Sequence, residues 1–328
     1  MVAYAVGPMP GLSLIDAASV IEGETGEHRA IPQLPQRGLG SDAIGRTASL
    51  LEGLAFSRGP RSWRMDARPQ IASRRTLDRT ERDLDELESC WGTTVGGVIK
   101  QQIIGPWSLA ASIELSNGQL LLRDPGALRD LHASLNEGIA RHIADIRKRY
   151  YASVWLQIDE PLLEPIVRGT LTPATTLDPI PALHREELAP ALGALGASAD
   201  RRILHVPKLT PDHVRLGMAH DAILSSPSGW DSPTKDAVAE AIEQGTSLGL
   251  KLVRSDDRVD DLGECPRSRA QEVAGIIDEL ALARSVLTDS VDIAPAEDLS
   301  HGDLLGAAGQ LAVARVVSDM LTRDAGDL

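Results

Sequence analysis

Val154-Trp155-Leu156-Gln157-Ile158-Asp159-Glu160-Pro161 is an apolar, β-rich run that ends in two acids and a proline. A short apolar run closed by a turn signal reads as a buried strand of a parallel sheet. Charge at the end of such a strand is placed where enzymes keep their reacting groups. Further along, Arg202-Ile203-Leu204-His205-Val206-Pro207 repeats the pattern and delivers a histidine to the equivalent position.

Working outward, six more apolar runs, at 3–7, 30–34, 98–105, 222–226, 248–254 and 291–295, bring the strand count to eight. Segments of helical period separate most of them. Asp124-Pro125 pairs an N-cap acid with proline at the first helical position, and Leu128, Leu131, Leu135, Ile139, Ile143 and Ile146 then line one face. Ser232-Pro233 repeats the device, Pro266 opens another helix, and a last one covers about 304–321. Eight strand-helix units in a chain of 328 residues predict one α/β domain over 1–328, a (β/α)8 TIM barrel. The interval 40–95 reads as an elaborated crossover with helices near 43–55 and 76–89. An open dinucleotide-binding sheet is the alternative, but Gly38-Leu39-Gly40-Ser41-Asp42-Ala43-Ile44-Gly45 has the wrong spacing for its phosphate turn.

Composition narrows the function. A formal charge of -14 and a single phenylalanine argue against nucleic acid, which needs phosphate-neutralising cations and stacking platforms. No run approaches the roughly 20 apolar residues of a membrane helix, so neither nucleic acid nor membrane is expected as a partner. Cys90 and Cys265 are far apart, which fits a reducing, cytoplasmic setting. The acidic runs 81–88 and 256–261 read as solvated surface. Turns for serine hydrolysis, phosphate loops and zincin helices are absent from the sequence.

In a barrel the chemistry gathers at the C-terminal ends of the strands. The candidates there are Gln33, Gln101, Trp107, Asp159, Glu160, His205 and Glu297. Asp159 and Glu160 can anchor a substrate amino group or move protons, or else cap the helix after Pro161. His205 can carry a proton or bind a metal, or simply bond a backbone carbonyl. A catalytic zinc takes about three protein ligands, and only Glu297, with Cys265 more remotely, could join His205. Trp107, after a Gly-Pro turn, either covers a planar ligand or plugs the barrel end.

On these residues the chain resembles the catalytic C-terminal domain of cobalamin-independent methionine synthase, in its short single-barrel form. The resemblance rests on Gly7-Pro-Met-Pro-Gly11, Ile31-Pro-Gln-Leu-Pro-Gln-Arg-Gly38, Gly45-Arg46, the stretch 100–107 with its Gly-Pro, Leu156-Gln-Ile-Asp-Glu-Pro161, Leu204-His205 and Ile293-Ala-Pro295. It implies a barrel of the methionine synthase and uroporphyrinogen decarboxylase type. It also implies methyl transfer from a methylated folate or a corrinoid protein to the thiol of homocysteine, activated by zinc. Of the implied zinc ligands His205 is present. The cysteine expected next falls among Val206, Pro207 and Lys208, the glutamate meets Ser225 and Ser226, and the second cysteine meets Glu297. Among the implied substrate contacts, a serine is replaced by Pro8 and an acid by Gln33, while Asp159, the contact to the amino group, is kept.

The expectation is therefore a methyltransferase of methionine biosynthesis with a degenerate zinc site and altered or absent activity. The alternative is a non-catalytic homologue that binds a ligand or partner. A third reading is barrel decarboxylation, with Arg37, Arg46 and Arg254 as carboxylate clamps.

Overall fold

The computed structural model describes residues 2–59, 62–68, 70–93, 96–172, 179–259 and 263–328. Ten strands occur among them: β1 (His28–Ala30), β2 (Ala55–Arg58), β3 (Trp63–Asp66), β4 (Val98–Ile104), β5 (Ile113–Glu114), β6 (Ser153–Asp159), β7 (Arg201–His205), β8 (Ala222–Ser225), β9 (Ser247–Val253) and β10 (Val291–Pro295). Seven form one all-parallel sheet in the order β1-β4-β6-β7-β8-β9-β10. Helices fill the crossovers, as parallel pairing of consecutive strands requires. The fold is α/β with a curled parallel sheet.

Of the eight expected strands, six are present as strands of this sheet, and the run expected at 30–34 meets it only at Ala30, the last residue of β1. The first, at 3–7, forms no ladder. Residues 2–9 instead make isolated parallel bridges at both edges, Ala3 to Ile293 of β10 and Pro8 to Gln33, just beyond β1. Tyr4 N donates to Ile293 O (3.3 Å) and Met9 N to Gln33 O (2.8 Å). Pro8 and a glycine with φ near +152° leave this segment too irregular for continuous pairing. Gly7 is also required by space, because any side chain there would collide with the amide of Gln102.

Period-two alternation sorts the strand residues. Val154, Leu156 and Ile158 pack outward against helices, whereas Tyr4, Val6, Ile203, Leu224 and Ala294 form a separate apolar cluster inside the curl of the sheet. The interval 40–95 holds helices Ala43–Ala48 and Ile71–Trp91, and also an unforeseen antiparallel hairpin of β2 and β3, extended by β5. The expected helix near 43–55 ends early for this reason. Buried Phe56 and Trp63 anchor the hairpin, and Trp63 Nε1 donates to Asp42 Oδ1 (3.0 Å). Residues 60 and 61 of its connection lie outside the described residues.

Two composition-based expectations need correction. Asp257 is not solvated: it is buried and accepts Arg269 on both oxygens at 2.8 Å, a charge-assisted fork that offsets its desolvation. Residues 260 and 261 of that acidic run lie outside the described residues. The helix Leu304–Arg323 is long and apolar enough to cross a membrane by length and composition. Its alternating glycine, alanine and polar residues hid that from a run count. Its apolar face, including Leu311, Val317 and Leu321, is buried in the core.

Candidate functional site

Parallel register sets Asp159 of β6 beside Ile104 of β4 and His205 of β7. The two sequence-predicted residues meet: His205 Nδ1 lies 2.9 Å from Asp159 Oδ1. Gln157, two residues back and so on the same face, donates Nε2 to Asp159 Oδ1 at 2.7 Å. Gln102 of β4 donates Nε2 to Asp159 Oδ2. From β9, Lys251 Nζ lies 3.2 Å from His205 Nε2. The result is a hydrogen-bonded series Lys251–His205–Asp159 inside the sheet at the C-terminal ends of its strands.

Burial by itself pushes the Asp159 carboxyl up, but the electrostatic pull of His205 and hydrogen bonds from His205, Gln157 and Gln102 outweigh it and hold the group below its ordinary value. An ionised Asp159 selects the His205 tautomer with the proton on Nδ1, which leaves the Nε2 lone pair for a Lys251 N–H. Burial pushes His205 down, only partly opposed by Asp159, with Lys251 and Lys100 adding to the push. Lys251 is lowered in turn by burial, against the pull of Asp159 and Asp298. A second lysine, Lys100 of β4, is driven down to about 7 by burial, opposed by Asp159. Its Nζ donates to Ala5 O (2.9 Å) and Val6 O (3.0 Å), fastening residues 2–9 to the sheet.

Two buried amide oxygens in this layer, Gln102 Oε1 and Gln157 Oε1, have no donor among the described residues. An orphaned buried acceptor is costly, which makes these atoms acceptors for an incoming N–H group. Above Lys251, the ends of β8, β9 and β10 border an open cleft of about 650 Å³ lined by Ser226, Ser228, Lys251, Arg254, Glu272 and Ala296.

The other predicted residues are placed differently. Glu160 is wholly buried and turned away from the layer: Trp107 N (3.0 Å), Ser108 N (2.8 Å) and Ser108 Oγ (2.6 Å) donate to its carboxylate. It caps the helix Pro106–Ser112, not the one after Pro161. Gly105 lets it approach, since a Cβ there would strike the Glu160 carboxylate. Burial nonetheless pushes Glu160 up to about 7, against these hydrogen bonds. Trp107 lies inside that helix, with Nε1 donating to Leu188 O (3.0 Å) and its ring edge-on to His132. Gln101 faces the helices, and Gln102 takes the inward place. Gln33 is buried and donates to Gln102 O (3.2 Å), steadying β4 beside Asp159.

Glu297 makes no hydrogen bond or ion pair with His205 among the described residues, and no group of three His, Cys, Asp or Glu side chains converges there. Cys265 Sγ donates to Asp257 instead (3.5 Å). The donor set around His205 does not fit the zinc that the resemblance implies, because an amine nitrogen holds the place on Nε2 that the metal would take.

Sequence reasoning missed Lys251, Lys100, Gln102 and Gln157. The one signal lay in Gln157, a polar residue between apolar neighbours, beside which pairing sets Gln102.

No family model matches the chain, and no curated protein does. Solved structures do. A B12-independent methionine synthase from Shewanella sp. W3-18-1, in complex with selenomethionine, superposes with a TM-score of 0.63 at 10% identity, covering 99% of each chain. A methyltransferase from Methanosarcina mazei gives 0.53 at 11% identity, over 95% of this chain and 93% of that one. At such identities the likeness is one of fold.

Proposed function

We propose that the chain is a single closed (β/α)8 barrel of the methionine synthase type, with residues 2–9 as its eighth stave, and that it binds a small amino-acid-like molecule at the Lys251–His205–Asp159 series without zinc. The observation that carries this reading is Lys251 Nζ at 3.2 Å from His205 Nε2, where the family would hold its metal. Gln102 Oε1 and Gln157 Oε1 supply acceptors for a substrate ammonium.

Thiol activation then falls to the chain's own groups. Burial lowers the pKa of Lys251, so it gives up its proton more readily than a free lysine; in its amine form it takes the proton from the substrate S–H and becomes an ammonium beside the new thiolate. A neighbouring cation stabilises a thiolate in the same sense as a metal does. The thiolate attacks the methyl carbon of a methylated folate or corrinoid, and the donor leaves with the bonding pair. His205, held by Asp159, keeps Lys251 oriented. The filled acceptor sites of Asp159 favour the second reading, a non-catalytic homologue that only binds its ligand.

Homocysteine methylation from methyltetrahydrofolate or methylcobalamin, assayed in chelator, tests both. Turnover that survives chelation and falls roughly 10²-fold or more in Lys251→Met is expected. Turnover that chelation abolishes and zinc restores sinks the metal-free reading. Homocysteine binding with no turnover from either donor selects the binding homologue.

A further inference from the structure

On the outer face of β4, helices Ala43–Ala48, Ile71–Trp91 and Pro125–Tyr150 leave a narrow polar cavity lined by Arg37, Arg46, Arg79, Asp83, Gln101 and His142. Its inner space is about 30 Å³, room for one or two water-sized groups. It adjoins a wider surface cleft of about 430 Å³, which shares Arg37, Arg79 and Asp83 and adds Gln36, Arg82 and Glu86.

The charge here runs against the molecule. Four guanidinium groups face two carboxylates, in a chain of net charge -14. Among the described residues Asp83 engages only Arg37, at 2.7 Å. Arg79 spends one nitrogen on Leu39 O (3.1 Å) and Ser41 Oγ (2.6 Å), and Arg46 makes one long bond of 3.5 Å to Pro32 O. Arg46, Arg79 and Arg82 have no carboxylate partner among the described residues. Burial lowers Arg46 to about 10, with Asp83 opposing, Arg37 adding and Asp42 opposing. Guanidinium forks held apart from counter-ions match the geometry of carboxylate and phosphate oxygens.

We propose that this pocket binds an oxyanion group, a phosphate or carboxylate of a small polyanionic metabolite, at a site separate from the Lys251 series. The head group sits between Arg46 and Arg79, and the rest of the molecule occupies the outer cleft beside Arg37 and Arg82. The arginines that carry the site belong to no part of the Lys251 series; Gln102, which also lines the pocket, is the residue it shares with the Asp159 layer.

Calorimetric titration of the intact chain with inorganic phosphate, and separately with citrate, tests it. One equivalent of at least one probe is expected to bind at about millimolar strength or better. Binding weakens about tenfold or more in Arg46→Ala and Arg79→Ala and about threefold in Arg82→Ala, and is unchanged in Arg254→Ala. Phosphate alone points to a phosphorylated ligand, and citrate alone to a polycarboxylate. Arg82 is exposed, so its variant keeps the test usable should an inner variant fail to fold. No saturable binding of either probe overturns the proposal, as does equal weakening in Arg254→Ala.

Discussion

The two ends of the sheet bury charge in opposite ways. At the N-terminal ends of the strands, Arg201 meets Asp292 one-to-one at 2.8 Å, with its guanidinium 4.5 Å over Trp155, and Asp292 also accepts from Val2 N (2.9 Å). At the C-terminal ends one carboxylate is shared by His205, Gln157 and Gln102, two lysines sit below their ordinary pKa, and two amide oxygens await donors. The first arrangement is closed as an ion pair, although Asp292 Oδ2 meets Arg201 without an aligned hydrogen bond, and it serves stability. The second holds protons that can move, which is what a site needs and a core avoids.

The sharpest break in this contrast comes at the closed end. Asp292→Ala strands a guanidinium that is mostly buried and is expected to cost about 3–5 kcal/mol in chemical denaturation. Ligand binding by the surviving folded fraction should be unchanged. A loss below 1 kcal/mol would mean that the pair is not closed after all.

Glu160 lies between the two behaviours, structural in contacts yet raised to about 7. Its folded pKa exceeds its unfolded one, so its stabilising contribution is present below the ordinary carboxylate pKa and is lost as pH rises through about 7. Glu160→Gln should therefore gain on the wild type between pH 5 and 9, by roughly 3 kcal/mol at most. Parallel denaturation curves at all pH values would sink the assignment.

Asp159 behaves inversely. Its lowered pKa gives stability that is present above the ordinary carboxylate range and lost on acidification through the folded value. Asp159→Asn should cost about 1–3 kcal/mol at neutral pH, with the deficit shrinking in acid. The smallest effect is spectroscopic. Removing the Lys251 charge in Lys251→Met should move the His205 titration upward, and Asp159→Asn should move it downward, as followed by imidazole NMR. No movement in either would separate the three groups.

How much of this was legible depended on whether the cause was local. The runs that became β4 and β6 through β10 could be read because burial on both faces demands mostly apolar residues. The meeting of Asp159 and His205 followed from their places at adjacent strand ends. Gln101 and Gln102 were ambiguous because a strand buried along its whole length offers no alternation to say which glutamine points inward. Lys251 was silent because a lysine in a strand more often bends its stem toward solvent. The role of Glu160 was hidden because the helix it caps lies 53 residues earlier in the chain, and no local spacing encodes that. The hairpin of β2 and β3 escaped because its short strands are set between turns.

The bond from Lys100 to Ala5 and Val6, together with the bridge from Ala3 to Ile293, has a consequence for biosynthesis. Residues 2–9 leave the ribosome before any of these partners, which lie 94 and 95 residues later on one side and 290 residues later on the other. They are seated last. Until β10 emerges, the nascent chain carries an unpaired sheet edge on each side of the gap, and that interval is when a chaperone has the most to shield.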